Sequence, residues 1–283
     1  MAEHARADLF LLKQYGFSET LLEWLYTHSR PDELLMNAFS IDIDQGTKIP
    51  CTRKDQQIQQ LSHFNIFIDK HRDDIVTSVN RTGFKMLFKY DKNVLDQFLE
   101  QKQQPLFMYL RGDATLLNSN RKRVAMVGTR NIAASFAEKV NGIVDKYLAQ
   151  KYVIVSGLAR GTDTLVHRRA VMQGGYALAV LPTNFDRIYP KENIQLAEQI
   201  FKNGLAMSAI GPFEQTYKSS FLKRNEYVTA IADEIVVIQT SMHSGTMNTI
   251  HRAVTMGKPV SYLQQNSEEL NHYLAGLGAR IIG

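Results

Sequence analysis

The chain has a single cysteine, Cys51, in 283 residues. That excludes an intramolecular disulfide and any metal site built on several thiolates, and it fits a reducing compartment. No run approaches the roughly 18 consecutive apolar residues that a membrane helix needs. Met1 to Thr20 shows no apolar signal-peptide core behind a basic start. The expectation is a cytoplasmic protein with no membrane partner. The dinucleotide fingerprint G-x-G-x-x-G is missing, and Gly257-Lys258 runs into Pro259 instead of completing a P-loop. No His/Cys/Asp/Glu group has metal-ligand spacing. Ser156 lacks the Gly-x-Ser-x-Gly frame of a nucleophile elbow. With no evident acid–base pair either, the chain is expected to bind a ligand without turning it over and without a cofactor.

What is present is a change of pattern near residue 121. Before it, Leu9, Leu12, Tyr15 and Phe17, then Leu21, Leu22, Leu25 and Tyr26, have helical spacing, and Pro31 with Asp32-Glu33 marks a new helix start. Gln56 to Ile68 begins with helical spacing and ends in the alternation Phe64, Ile66, Ile68, which predicts a helix followed by a strand. Phe107–Leu110 predicts a strand before an Arg111-Gly112-Asp113 turn. From residue 121, strand candidates (Val124–Val127, Tyr152–Ser156, Ala177–Leu181, Leu205–Ser208, Ile235–Gln239, Pro259–Leu263) alternate with helical stretches. That alternation predicts βαβ units in a mostly parallel sheet, with helices on both faces. The domain division expected is a small helical module of the SAM or helix-hairpin kind over 1–75, then an α/β, extended Rossmann-like domain over 76–283.

Three loops follow such strands: Gly128-Thr129-Arg130, Ser156-Gly157-Leu158-Ala159-Arg160-Gly161-Thr162-Asp163, and Ser244-Gly245-Thr246. Small residues at a strand-to-helix junction bare backbone N–H groups at the positive end of a helix, where anions bind. Arg130 can grip a phosphate through two N–H bonds. Asp163 and His167 lie one turn apart and are expected to act as a helix cap and its structural partner. Lys191, in the first turn after Tyr189-Pro190, opposes the helix dipole, and such a cation at an anion-binding end suggests a ligand. Phe185 is the first candidate, and Tyr189 the second, for stacking a base. Charge follows the loops: residues 121–283 hold 19 Lys/Arg against 12 Asp/Glu, whereas residues 1–120 hold 14 against 16. A basic half that carries anion-type loops favours nucleic acid or nucleotide partners.

In this order the motifs resemble the DprA/Smf family of DNA-processing proteins. The resemblance runs from about Pro105 to Val260. It takes in Leu110-Arg111-Gly112, Val127-Gly128-Thr129-Arg130, Ser156 to Asp163 with His167, Tyr189-Pro190-Lys191, Phe221-Leu222-Lys223-Arg224-Asn225 and Ser244-Gly245-Thr246. It departs from the family at Glu226, an anion where R-N-R would have a cation, and this marks the chain as a divergent member. The resemblance implies binding of single-stranded DNA without hydrolysis, in transformation or recombination, with RecA recombinase as partner and a homodimer as assembly. Carried over by motif, Arg130 and Lys191 match DNA-contacting positions, and Gly128, Thr129, Ser156, Gly157, Ser244, Gly245 and Thr246 match the groove loops. Arg160, Gly161, Asp163, Arg224 and Asn225 lie in the same motifs, and Phe185 joins the expected site as its stacking ring. A sensor of a nucleotide-derived small ligand in the same cleft is the alternative. A nucleotide hydrolase is a third reading, opposed by Thr249 where such enzymes of related fold carry glutamate.

Overall fold

Short apolar runs dominate the second half of the chain, and each becomes a strand. The computed structural model describes residues 2–40, 49–61, 63–71, 83–118 and 120–282. Its strands are β1 (Lys85–Phe88), β2 (Phe107–Gly112), β3 (Arg123–Val127), β4 (Val153–Ser156), β5 (Ala177–Leu181), β6 (Leu205–Ser208), β7 (Glu234–Val237), β8 (Val260–Leu263) and β9 (Arg280–Ile282). They form one sheet in the order β1-β2-β6-β5-β4-β3-β7-β8-β9. β1–β2 and β2–β6 pair antiparallel, and the pairs from β6 through to β9 are parallel. The helices are α1 (Ala2–Tyr15), α2 (Glu19–His28), α3 (Leu34–Ser40), α4 (Arg53–Gln59), α5 (residues 64–71), α6 (Thr115–Asn118), α7 (Ala134–Ala149), α8 (Thr162–Met172), α9 (Ile194–Asn203), α10 (Lys218–Ile231), α11 (Gly245–Thr255) and α12 (Glu268–Gly276).

The strands are apolar throughout because both faces are covered. Val124, Met126, Ile154 and Ala179 point into one core with Phe136 and Val140 of α7, Val166 of α8 and Ile200 of α9. Their neighbours Ala125, Val127, Val155 and Val180 point into the other, with Val228 of α10, Ile250 of α11 and Leu274 of α12. Side chains so fully buried contribute about 1.5–3 kcal/mol each. This is the expected Rossmann-like arrangement with helices on both faces.

Two expectations for the first half change. Residues 64–68 are helical, because Phe64 and Phe67 stand on one helix face and meet the Tyr15 ring at 5.2 and 5.1 Å. Short apolar alternation suits a strand or a helix, and the partner ring decides. The edge strands β1 and β9, short and partly exposed, have no counterpart in the sequence reading. The expected boundary at residues 75/76 lies outside the described residues. The helices before it share a core with the sheet: Phe10 of α1 packs edge-on against Phe107 and Tyr109 of β2.

Candidate nucleic-acid interface

From β3 the chain fills one side of the sheet with β4, β5 and β6, then returns to place β7, β8 and β9 on the other side of β3. The order of winding therefore reverses between β3 and β7, and ligands of open parallel sheets sit beyond the strand ends at such a point. The registers align Ala125 with Val155 and Val127 with Val237, so the loops after β3, β4 and β7 leave the sheet side by side.

These loops are in direct contact, and their backbone amides are largely engaged within the chain. After β3, the Thr129 N–H donates to the Gln239 carbonyl (2.8 Å) and the Ala133 N–H to the Gln239 side-chain oxygen (2.8 Å). The Thr129 carbonyl accepts the Thr162 N–H and hydroxyl, both at 3.2 Å. Gly128 is required for packing, since a Cβ there would strike the Thr162 side chain and the Gln239 carbonyl. After β4, the Asp163 carboxylate accepts the N–H groups of Gly157 (3.1 Å) and Ala159 (3.2 Å). This clasp holds Leu158, between them, in the left-handed region at φ 56°. Such a backbone is costly for a side-chain-bearing residue and persists only where its surroundings enforce it. Gly161 also lies at positive φ, against the carbonyls of Thr129 and Arg130.

Beneath this surface lies a buried polar layer. The Ser156 hydroxyl donates to the Met126 carbonyl at 2.8 Å. Arg224, on α10, donates to the carbonyls of Gly157 and Val180 (the latter 3.2 Å), and to Asn225 Oδ1 at 2.8 Å. Burial raises the Asp163 carboxyl above its ordinary value, opposed by Arg224 and the loop amides. Burial lowers Arg224 against the pull of Asp163. Burial also lowers His167 to about 4, partly opposed by the nearby Ser156 backbone and reinforced by the Arg224 charge. A neutral imidazole with no access to solvent and a serine committed to a carbonyl make a scaffold, consistent with the structural role expected of His167.

The outer layer is different in kind. Arg130, Arg160 and Lys191 are exposed. Arg160 pairs with Glu192. Asn193 ties the segment carrying Lys191 to the β4 loop through the Leu158 carbonyl (2.9 Å) and the Thr164 hydroxyl (2.8 Å). A small hollow at the ends of β3, β4 and β5 is lined by Arg130, Arg160, Pro182, Tyr189, Phe221 and the edge of Arg224. The Tyr189 and Phe221 rings meet edge to face at 5.7 Å. After β7, the Ser244 hydroxyl shares a hydrogen bond with Thr240 (2.7 Å), and Gly245 opens α11 with nothing near its Cα face.

Five sequence-derived site residues therefore lie inside, Gly157 among them. Phe185 is 6% exposed and packs between Phe84 and Phe201, so it cannot present a face to a base. Ser156, Asp163 and Arg224 are buried, and act on the loop from below. Sequence reading also passed over Gln239, which joins two loops, and Phe221 as a ring of the hollow. The polar Gln239 closing an apolar strand run was the visible signal for the first. Glu226 is held by Lys223 (3.0 Å) and Arg252 (3.4 Å), so the departure at this position is neutralised locally.

A doubly wound sheet with cations and rings grouped beyond its strand ends defines a Rossmann-like α/β protein. Residues 85–281 match the family model of DNA recombination-mediator protein A, and the chain belongs to that DprA/Smf family. It is 33% identical over 156 residues to DNA processing protein DprA of Bacillus subtilis, covering 55% of this chain and 52% of the relative. It is 34% identical over 183 residues to DprA of Streptococcus pneumoniae, covering 63% and 64%. The chain thus spans about half to two thirds of the length of these curated relatives. Among solved structures, DprA of Streptococcus pneumoniae shares the fold (TM-score 0.68, 24% identity, 96% of this chain and 93% of that one). DNA processing protein A of Helicobacter pylori, for which a single-stranded DNA binding mode is described, aligns with TM-score 0.62 at 28% identity, over 70% of this chain and 90% of that one.

Proposed function

We propose that this protein binds single-stranded DNA along the carboxyl edge of its sheet and does not hydrolyse it. The observation that carries the reading is the convergence of Arg130 and Arg160 with the Tyr189 and Phe221 rings on one hollow at the ends of β3, β4 and β5. Guanidinium groups hold phosphates as paired N–H donors. Exposed rings stack any base and so bind without reading sequence. Because the loop amides are spent on Gln239 and Asp163, side-chain cations carry the phosphate contacts, with the open start of α11 at Gly245 and Thr246 as the remaining backbone site. Transfer of the strand to RecA recombinase, in a cytoplasmic homodimer, is the extension that the family resemblance supports.

The test is a titration of an oligothymidine at several salt concentrations. Binding should weaken with salt, at a slope of roughly −0.7 in log K against log salt per neutralised phosphate. Arg130→Ala and Lys191→Ala should each weaken binding while melting as wild type does. Wild-type affinity in both variants would remove the proposal.

A further inference from the structure

The hollow around Arg130 is not the sole concavity at this edge. A groove of about 1020 Å³ lies farther along it, beyond the ends of β5 and β6. Leu181 and Ile210 form its sheet side, α10 contributes Leu222, and its opposite wall comes from the N-terminal helices, through Gly16 at the α1–α2 turn and Lys54 of α4. Arg224 of α10 borders both the groove and the hollow, so the two adjoin on either side of this buried side chain.

The electrostatics of the groove separate a neutral floor from a cationic rim. On the floor, Lys13 binds Glu214 and Glu19, and Gln14 bridges Glu214 (3.1 Å), the Tyr109 hydroxyl (3.3 Å) and the Phe213 N–H (3.0 Å). Glu226 is held by Lys223 and Arg252. Each of these carboxylates is thus ion-paired. Lys54 at the rim, and Lys218, exposed at the first position of α10 just outside the groove lining, have no carboxylate partner among the described residues. Lys54 donates to the Tyr217 hydroxyl at 3.4 Å and lies 5.8 Å from the centre of its ring. Tyr217 and Leu222, both lining the groove, are half exposed at 50% and 55%. Free cations interleaved with exposed apolar faces are the recurring chemistry of single-strand channels.

We propose that the DNA strand continues from the Arg130 hollow into this groove, so that the N-terminal helices form the second wall of the binding channel. Bases lie against Tyr217 and Leu222, and Lys54 and Lys218 take the phosphates. This rests on the single-strand reading above and adds a function for the region before residue 75.

Two oligothymidines of about 4 and about 16 nucleotides, the span of typical single-strand sites, separate the two surfaces. The variant Lys54→Ala/Tyr217→Ala/Lys218→Ala should bind the longer strand about tenfold more weakly than wild type, from lost stacking and charge. Its log–log salt slope should be shallower by roughly 1.4, for two phosphates no longer neutralised. The shorter strand, held by the hollow alone, should bind the variant and wild type equally. Lys218→Ala alone should reproduce half the slope change, and serves if the triple variant melts early. Wild-type binding of the longer strand by these variants overturns the channel. If wild type itself binds neither strand, the single-strand reading fails and takes the channel with it.

Discussion

Arg130 and Arg224 stand within a few ångströms of the same hollow, and they do opposite work. Arg130 is exposed and has no carboxylate partner among the described residues. Arg224 is 5% exposed, donates to two backbone carbonyls and faces Asp163. The contrast extends to whole layers. Arg130, Arg160, Lys191 and Tyr189 form an outer layer that can exchange water for a ligand. Ser156, Asp163, His167 and Arg224 form an inner layer that fixes the shape of the β4 loop. An inner charge is too costly to leave unpaired, so its partners belong to the chain and are not available to phosphate. The outer layer can therefore vary ligand contacts without altering the fold, and the inner layer cannot vary without altering the loop.

This division is easiest to break from below. Asp163→Ala leaves Arg224 buried without its counter-charge and frees two loop amides. It should cost about 3–5 kcal/mol in urea unfolding, whereas Arg130→Ala should stay within about 0.5 kcal/mol of wild type. Equal stability losses would erase the distinction between layers. Phe185→Ala should behave as an inner substitution, losing about 3–5 kcal/mol as a core phenylalanine. Tyr189→Ala should instead lose about 1–3 kcal/mol of oligonucleotide binding with the fold unchanged.

Acid tests the inner layer at one residue. His167 has a folded pKa of about 4, below its ordinary 6.5, so the unfolded chain takes up the proton first as pH falls. Its stabilising contribution is complete above the unfolded value and is lost on acidification from 6.5 towards 4, by about 1.4 kcal/mol per pH unit at most. In His167→Gln, urea midpoints measured between pH 7 and 5 should fall less steeply than in wild type. Parallel pH profiles would show that this imidazole is not the titrating group.

The outer layer is tested by binding and not by stability. Arg130→Ala removes a charge-assisted contact of about 1.5–3 kcal/mol from binding. Arg160 is partly neutralised by Glu192, so Arg160→Ala should cost less than Arg130→Ala. Glu192→Gln should tighten oligonucleotide binding severalfold by releasing the guanidinium. Weaker binding in Glu192→Gln would mean that the carboxylate positions Arg160 for the strand.

The parallel sheet was legible in the sequence because strands buried on both faces must be apolar throughout. Val153–Ser156 and Ala177–Leu181 are such runs, and the small residues after Val127 and Ser156 mark their loops. Local sequence also placed these loops on one edge of the sheet, since strand-to-helix junctions in a parallel sheet all leave from one side. The helix at residues 64–71 was not legible, because five residues of alternation fit either structure until Tyr15 arrives from α1.

Tertiary structure alone decided which residues of the edge face solvent. Arg130 and Arg224 are the same side chain beside the same kind of loop, and only the position of α10 over Gly157 and Val180 buries the second. The loop amides looked free because their acceptors, Gln239 and Asp163, reach them from another strand end and from the next helix. Hydrogen-bond satisfaction and burial are set by the whole fold, and no local pattern reports them.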